Sequence, residues 1–323
     1  MRLATALPLA LSAAALLALT GCPRKRPTLE DAGARPRVEP PEDDRPGDPP
    51  SGPVDGGRDA EPTKPGSTYG HCDEDNKQIY VVSETFDLYR FPPALGKFVR
   101  IGRVRCPGAK GAFSMAVDRA GMAWVLDSDG SLFKVSTKDA SCRATGFARG
   151  QRGGSSLFGM AFVVEERYSD KEKLYVADST VAPEGAPAGA PATTRGIAVV
   201  DTDKLTLSPF VPYRGGRAGN FELTGMSDGR MYGFDPSSQP PRIVEIDPKT
   251  AALKSERLLD GVVGGGAWAV AQHYGDFYVF AAPPRGHTRV TKVVLDAKET
   301  KVVADLDFAV VGAGVSTCAP SGH

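Results

Sequence analysis

A repeated unit of four short strands is the feature that most constrains the fold of this chain. One complete unit, residues 113–147, reads FSMAVDRAGMAWVLDSDGSLFKVSTKDASCRATGF, with turn signals between its β-rich runs. Further units begin at Leu157, Phe221 and Trp268, and none of them shows helical periodicity. Because a repeat of about 50 residues with four strands is typical of propeller blades, the repetition predicts an all-β propeller.

The front of the repetitive region supplies only three strands of its blade. They lie in QIYVVS, DLYRFPPALGK and FVRIGRV, residues 78–104. The C-terminal run VVGAGVST, residues 310–317, would provide the innermost strand, so that both chain ends close one blade. The repeat pattern in residues 69–323 therefore predicts five four-stranded blades. Six blades would require one more within 181–220, where strand-like runs are too few.

The five expected innermost strands share a small side chain at one aligned position. The residues there are Ser114, Gly159, Thr224, Ala269 and Ala313. Since innermost strands converge on the propeller axis, bulky side chains on the crowded face would collide.

This alignment also accounts for 225–229, which matches the G-x-S-x-G pattern of serine hydrolases. A nucleophile elbow requires a helix directly after the serine, whereas the strand-like run RMYGFDP follows here. We therefore predict that Ser227 lies in a hairpin and that the chain has no catalytic serine.

The stretch DSDG, residues 127–130, begins like a calcium-binding EF-hand loop. The twelfth position of such a loop would be Lys138, where a bidentate glutamate is required. Asp129-Gly130 is instead predicted to form a type I′ hairpin turn.

The first 21 residues have the pattern of an export signal. Arg2 precedes an apolar run, from Leu3 to Leu17, that is too short for a comfortable membrane span. The following Leu19-Thr20-Gly21-Cys22 resembles a bacterial lipobox. That resemblance implies a lipoprotein signal peptide over 1–21 and acyl chains on Cys22, with an ordinary secretory peptide as the alternative. Pro23 follows in place of the aspartate that usually retains proteobacterial lipoproteins at the inner membrane, which favours the outer membrane.

Residues 22–68 read as a disordered tether. The segment is rich in proline and mixed charge and contains no aromatic residue, so it cannot bury enough apolar surface to offset its ordering entropy. Lys plus Arg and Asp plus Glu both number 39 in the whole chain, so charge does not indicate nucleic acid as a partner.

Apart from Cys22, the chain contains Cys72, Cys106, Cys142 and Cys318. An even number in an exported domain suggests two disulfides, for which three connectivities exist. Blade closure by the chain ends favours Cys72–Cys318, and Cys106–Cys142 then follows by elimination. No C-x-x-C pair supports a zinc or redox site.

The strings FSMAVDRAGMAWVLDSDGSLFKVSTKDASC, FELTGMSDGRMYGF and VGAGVSTCAP, behind a lipobox and a Pro-rich stalk, resemble β-propeller lipoproteins of the myxobacterial type. The chain is similar, more distantly, to NHL, TolB-like and senescence-marker-protein-type propellers, whose roles range from binding platforms to lactonases. The first resemblance identifies a fold family and carries no established activity. Our first hypothesis is an outer-membrane lipoprotein whose propeller is a non-catalytic module that binds envelope proteins or cell-wall polymer, with no cofactor.

The alternative is a calcium-dependent lactonase-like hydrolase. Lactonase-type propellers hold calcium in the axial channel with Glu, Asn and Asp side chains. The corresponding candidates here are Asp118, Glu222 and Asp228, with Asn220 nearby. Because the other blades contribute no matching ligands, we expect no metal site.

Overall fold

The computed structural model describes residues 72–153, 156–167, 169–179, 194–297 and 299–322. The expected signal peptide, the lipidation site at Cys22 and the tether all lie outside the described residues and stay predictions. Among those described, helical structure is confined to two short 3₁₀ segments, Glu74–Lys77 and Gln151–Gly153. No helix in this part of the chain is long and apolar enough to span a membrane.

Twenty strands in the described residues form five antiparallel sheets of four, which confirms the predicted five-bladed β-propeller. Blade 1 contains, from the innermost strand outward, β20 (Val310–Val315), β1 (Ile79–Ser83), β2 (Asp87–Phe91) and β3 (Val99–Arg103). Blade 2 contains β4 (Ala112–Val117), β5 (Met122–Asp127), β6 (Leu132–Ser136) and β7 (Cys142–Ala144).

The remaining blades use consecutive strands. Blade 3 contains β8 (Phe158–Val164), β9 (Glu172–Asp178), β10 (Ile197–Asp201) and β11 (Thr206–Leu207). Blade 4 contains β12 (Glu222–Gly225), β13 (Met231–Asp235), β14 (Arg242–Ile246) and β15 (Leu253–Leu258). Blade 5 contains β16 (Ala267–His273), β17 (Asp276–Ala282), β18 (Arg289–Val294) and β19 (Thr300–Asp305).

Burial decreases from the axis to the rim of each blade. Every residue of β1 and β13 is buried, whereas most residues of β3 and β15 are exposed and each of these strands contains at least two charged residues. Both faces of an inner strand pack against neighbouring blades, so these strands read as continuous apolar runs rather than alternating ones. Charged outer strands leave their free edges unattractive for pairing with another chain.

Aromatic side chains fill the spaces between neighbouring blades. Trp124 of blade 2 packs edge-on against Phe162 of blade 3, and the ring centroids are 6.1 Å apart. Phe91 of blade 1 meets Phe280 of blade 5 in the same manner at 6.0 Å. The core of the molecule is therefore a set of layers between blades.

The innermost strands approach one another closely enough to require glycine at particular positions. A Cβ added at Gly314 of β20 would lie 2.9 Å from the backbone nitrogen of Val117 on β4. One added at Gly225 of β12 would collide with the carbonyl oxygen of Phe162 on β8. The expected crowding at the axis is present, but the alignment of blades 2 and 4 differs by two residues. The turn after β4 closes on Asp118 and the turn after β12 closes on Met226, so Ser114 corresponds to Glu222 rather than to Thr224.

Both chain ends close blade 1 as predicted. Strand β20 pairs with β1 in antiparallel register, from Ile79 opposite Val315 to Val82 opposite Gly312. A Cys72–Cys318 disulfide lies beside this pairing, with a Cα–Cα distance of 5.4 Å. The second disulfide, Cys106–Cys142, joins the segment before β4 to the first residue of β7 and so lies within blade 2.

Candidate functional site at the axial pocket

The G-x-S-x-G stretch forms the turn between β12 and β13. The amide of Gly229 donates to the carbonyl of Met226 at 3.2 Å, and Gly229 has a φ of 86°. Ser227 lies inside this turn, a strand follows, and no hydrogen bond joins Ser227 to a histidine among the described residues. The stretch is a hairpin, as predicted from the strand-like run that follows it.

The DSDG stretch is also a hairpin, but its type differs from the prediction. The amide of Gly130 donates to the carbonyl of Asp127 at 2.8 Å, and only Gly130 in this turn has a positive φ, 84°. A type I′ turn requires positive φ at both central residues, here Ser128 and Asp129. The loop is therefore a type I turn followed by a left-handed glycine, and the type I′ prediction was wrong.

The structure does not bring the candidate calcium ligands together. Asp118 follows β4 and accepts from the amide of Met122 at 2.8 Å and from Nε1 of Trp124 at 3.0 Å. Asp228, in the turn after β12, accepts from Nε of Arg230 at 2.7 Å.

Glu222 is the first residue of β12 and so lies at the opposite end of the inner strands, while Asn220 accepts from Ser179 at 3.0 Å. Within the described part of the chain, no group of three His, Cys, Asp or Glu residues is arranged to hold a metal ion.

A small pocket lies where the innermost strands begin. Its cavity measures about 90 Å³, and four of the five innermost strands, or the residues next to them, supply its lining. The lining residues are Ala112, Phe113, Glu222, Gly266, Ala267, Trp268 and Val311. We call this cavity the axial pocket. Phe113 and Trp268 are half-buried, and the sequence did not single them out as site residues.

Glu222 forms the polar base of the axial pocket and is only 3% exposed. Ser114 of β4 donates its hydroxyl to Oε1 at 2.5 Å, and the amide of Met160 on β8 donates to the same carboxyl. No salt bridge joins Glu222 to a lysine or arginine of the described residues. Burial therefore raises the pKa of Glu222 well above its ordinary value, against the lowering effect of the two hydrogen bonds.

The fifth innermost strand contributes the space for this carboxyl. A Cβ at Gly159 of β8 would lie 2.7 Å from the Cα of Glu222 and 3.0 Å from its Oε2. Only glycine leaves room there for the glutamate side chain. The chain at the axis is thus arranged around one carboxyl group that forms no ion pair with any residue the structure describes.

A second carboxyl with an altered pKa lies at the other end of the inner strands. Glu172 accepts from the amide of Arg119 at 2.8 Å and from the Thr317 hydroxyl at 2.6 Å. Burial raises its pKa to about 7 from 4.5. The guanidinium of Arg119 also contacts Cys72 Sγ at 3.1 Å, so this cluster lies at the joint of the two chain ends.

Two larger depressions are open to solvent, and charged side chains within each of them form ion pairs with one another. A groove of about 260 Å³ on blade 5 includes His287, Arg289 and Asp305, but Arg289 Nε already donates to Asp305 at 2.8 Å. Another of about 580 Å³ contains Asp75 and Arg90, which form an ion pair at 2.7 Å. Exposed, paired charges of this kind provide little driving force for a ligand. The axial pocket is the stronger candidate.

Comparisons with known proteins concern the fold. No protein-family model and no curated protein matches the chain. The PQQ-bound aldose sugar dehydrogenase of Streptomyces coelicolor is 14% identical, with a TM-score of 0.41 over 75% of this chain and 82% of that one. A putative gluconolactonase is 11% identical, with a TM-score of 0.42 over 73% and 77%. A luciferin-regenerating enzyme is 14% identical, with a TM-score of 0.38 over 75% of both chains. Function has to be argued from the site itself.

Proposed function

We propose that the protein is a lipid-anchored component of the bacterial cell envelope whose propeller is a binding module. The axial pocket carries this proposal, because the innermost strands of the propeller converge on it and leave one uncompensated carboxyl at its base. A concave, largely apolar site with a single oriented polar group is typical of a ligand-binding pocket.

The lining of the pocket favours binding over hydrolysis. Apart from Glu222, the lining side chains carry no ionisable group. A hydrolase needs an activated nucleophile, a pair of acid and base groups or a metal-bound water. One carboxyl, held by Ser114 and Met160, can orient a ligand but lacks a partner for general acid–base work.

The location of the module is proposed from the sequence. The lipobox-like segment that ends at Cys22 supports a lipid anchor, and the Pro23 that follows supports the outer membrane. The Pro-rich segment 22–68 would hold the propeller away from the lipid, within reach of envelope proteins or cell-wall polymer. Two disulfides are in keeping with an oxidising compartment.

Filling the axial pocket tests the proposal. Ala267→Leu places additional carbon atoms in the cavity, whereas Val302→Leu, on the outer strand of the same blade, adds volume to an exposed site. The native lipoprotein and both variants are crosslinked in intact cells and their adducts compared by mass spectrometry. We expect Ala267→Leu to lose adducts that Val302→Leu retains. Identical adducts from all three proteins would contradict a role for the pocket.

An activity screen tests the alternative of a hydrolase. The purified lipoprotein is incubated with panels of lactones and esters, with calcium and with EDTA. We expect no turnover above the buffer control. Turnover that EDTA and Glu222→Gln both abolish would contradict a module that only binds.

A further inference from the structure

We propose that the axial pocket binds a small organic cation, specifically a methylated ammonium head group, with Glu222 as its counter-ion. This inference deepens the proposed function and rests on the pocket being a binding site. It follows from the hydrogen bonds of Glu222, from its missing counter-charge and from the aromatic lining.

The hydrogen bonds around Glu222 suit an ionised carboxylate. Both neighbouring groups donate: the hydroxyl of Ser114 to Oε1, at 2.5 Å, and the backbone amide of Met160. A carboxylate accepts only, whereas a protonated carboxyl also carries an O–H that needs an acceptor of its own. The hydroxyl of Ser114 can accept that O–H or donate to the charged form, and the amide of Met160 donates in either case. The site therefore accommodates an ionised Glu222 without rearrangement.

No residue that the structure describes supplies a positive charge to that carboxylate. No lysine or arginine of the described residues forms a salt bridge with Glu222, and no charged neighbour contributes to its pKa. Buried carboxylates without a partner are strongly disfavoured, and a cation in direct contact removes that penalty. A cationic ligand would thus complete a site in which the donors are present and the counter-ion is missing.

The rest of the lining favours a methylated ammonium over a strongly hydrated cation. Phe113 and Trp268 line the same cavity as Glu222, and the remaining lining side chains are aliphatic or absent. Aromatic side chains attract cations, and they are the usual surroundings of quaternary ammonium groups. A methylated ammonium needs no hydrogen-bond acceptors, so one carboxylate in an apolar pocket is sufficient for it.

The size of the cavity limits how much of a ligand can enter. It measures about 90 Å³, well below the roughly 300 Å³ at which pockets for whole drug-sized molecules begin. Only a head group fits, so the remainder of the ligand would extend from the mouth of the axial pocket. That head group could belong to a free solute or to a lipid.

A matched pair of probes separates charge from shape. Choline and 3,3-dimethylbutan-1-ol have the same outline, but only choline is charged. Both are titrated calorimetrically into the full lipoprotein in a maltoside detergent. We expect choline to bind at least about tenfold more tightly than the alcohol, which corresponds to about 1.4 kcal/mol.

Glu222→Gln is the decisive variant, because the amide keeps the shape of the side chain and removes its charge. We expect it to lose the preference for choline and to bind the alcohol as the native protein does. Trp268→Leu should weaken the binding of choline. Thermal melting and near-UV circular dichroism of each variant establish that it is folded.

Proton release provides a readout that a purely structural role would not change. None of the other lining side chains of the pocket ionises, so a proton released on binding is assigned to Glu222. Choline binding measured in buffers of different ionisation enthalpy should release a fraction of a proton from the native protein and none from Glu222→Gln.

Three results would overturn the inference: equal affinity for both probes, choline binding that survives Glu222→Gln, or no binding of either probe. None of these would remove pocket-dependent adducts in cells, so the failure of the cation inference can be told from the failure of the proposed function. Binding to vesicles of phosphatidylcholine, compared with vesicles of phosphatidylglycerol, shows whether the ammonium head group belongs to a lipid or to a free solute. Binding to the first alone indicates a lipid head group, and binding of free choline alone indicates a solute.

Discussion

At the scale of single residues, the buried Glu222 and the half-buried Glu172 occupy opposite ends of the inner strands. Glu222 begins β12, whereas Glu172 lies opposite Val164, the last residue of β8. Burial raises the pKa of both side chains, and in both cases hydrogen bonds from neighbouring blades only partly offset it. Each carboxyl therefore binds a proton more readily in the folded protein than in the unfolded chain.

The pKa of Glu172 makes stability depend on pH with a definite sign. Because the folded value of about 7 exceeds the ordinary 4.5, the folded state binds more protons between these values. The contribution of Glu172 to stability is then fully present below pH 4.5 and is lost as the pH rises through about 7, by an amount on the order of 3 kcal/mol. The negative charge of Asp118 raises the pKa of Glu172 further, and the positive charge of Arg119 lowers it.

Glu172→Gln should flatten the dependence of stability on pH. Urea unfolding at several pH values between 4.5 and 8 measures the slope, to which the raised pKa of Glu222 contributes with the same sign. The exposed Glu74→Gln serves as the control and should leave the native slope unchanged. A Glu172→Gln variant with the full native slope would contradict the assignment.

At the scale of elements, backbone contact between innermost strands determines where glycine is required. Gly225 of β12 faces the carbonyl of Phe162 on β8 without space for a Cβ. Gly111, just before β4, would make only an ordinary contact, 3.5 Å from Ser128 Oγ. Crowding in a packed core forces backbone shifts and is costly, while a surface contact is not.

We expect Gly225→Ala to lower the free energy of unfolding by about 3 kcal/mol, because β12 and β8 would have to separate. Gly111→Ala should change it by less than about 0.5 kcal/mol. Urea denaturation of both variants provides the comparison. Equal stabilities of the two variants would contradict the requirement for close approach between β12 and β8 at Gly225.

Three hairpins share a left-handed glycine, two of them between the first and second strands of a blade and one between the second and third strands of blade 2. The amide of Gly121 donates to Asp118 at 3.0 Å, that of Gly130 to Asp127 at 2.8 Å and that of Gly229 to Met226 at 3.2 Å. Local sequence predicts such hairpins well, since few residues tolerate positive φ. It predicted the turn type in DSDG wrongly, because the type depends on how the flanking strands pair.

At the scale of the whole molecule, the Cys72–Cys318 disulfide links residues 246 positions apart, and Cys106–Cys142 links residues 36 apart. The longer loop restricts the unfolded chain more. It also joins the two ends of the chain beside the β1–β20 pairing that completes blade 1.

Removing the terminal disulfide should therefore cost more stability than removing the other one. We expect a loss of about 5 kcal/mol for the Cys72→Ser, Cys318→Ser double variant and about 4 kcal/mol for Cys106→Ser, Cys142→Ser. Calorimetric melting of both double variants shows which of them loses more stability. A larger loss from the second pair would contradict a special role for closure by the chain ends.

The anchor can be tested at the same scale. Cys22→Ser should move the protein from the membrane fraction to the soluble fraction, since several acyl chains are needed for stable attachment. Mass spectrometry of the N-terminal peptide of the native protein should show an acylated Cys22. An unmodified Cys22 would defeat the proposal of a lipoprotein.

Much of the fold could be predicted because it depends on local patterns. Runs such as MAWVLD and FYVF, separated by glycine turns, mark strands, and their repetition gave the number of blades. Closure followed from counting strands at the front and finding the missing one at 310–317. The Cys72–Cys318 pair then followed from closure, while Cys106–Cys142 had no geometric argument until β7 was seen beside the segment before β4.

An all-β propeller of five blades could be predicted because strand periodicity, turn glycines and repetition are properties of neighbouring residues. The same patterns placed Glu222 near the axis as an acidic group. Long-range packing, in contrast, brings Glu222 to Ser114 and places Phe113 and Trp268 in the same pocket. Those contacts join residues as much as 155 positions apart in number, from Phe113 to Trp268. Their register depends on how close the inner strands of different blades approach, which no local pattern specifies.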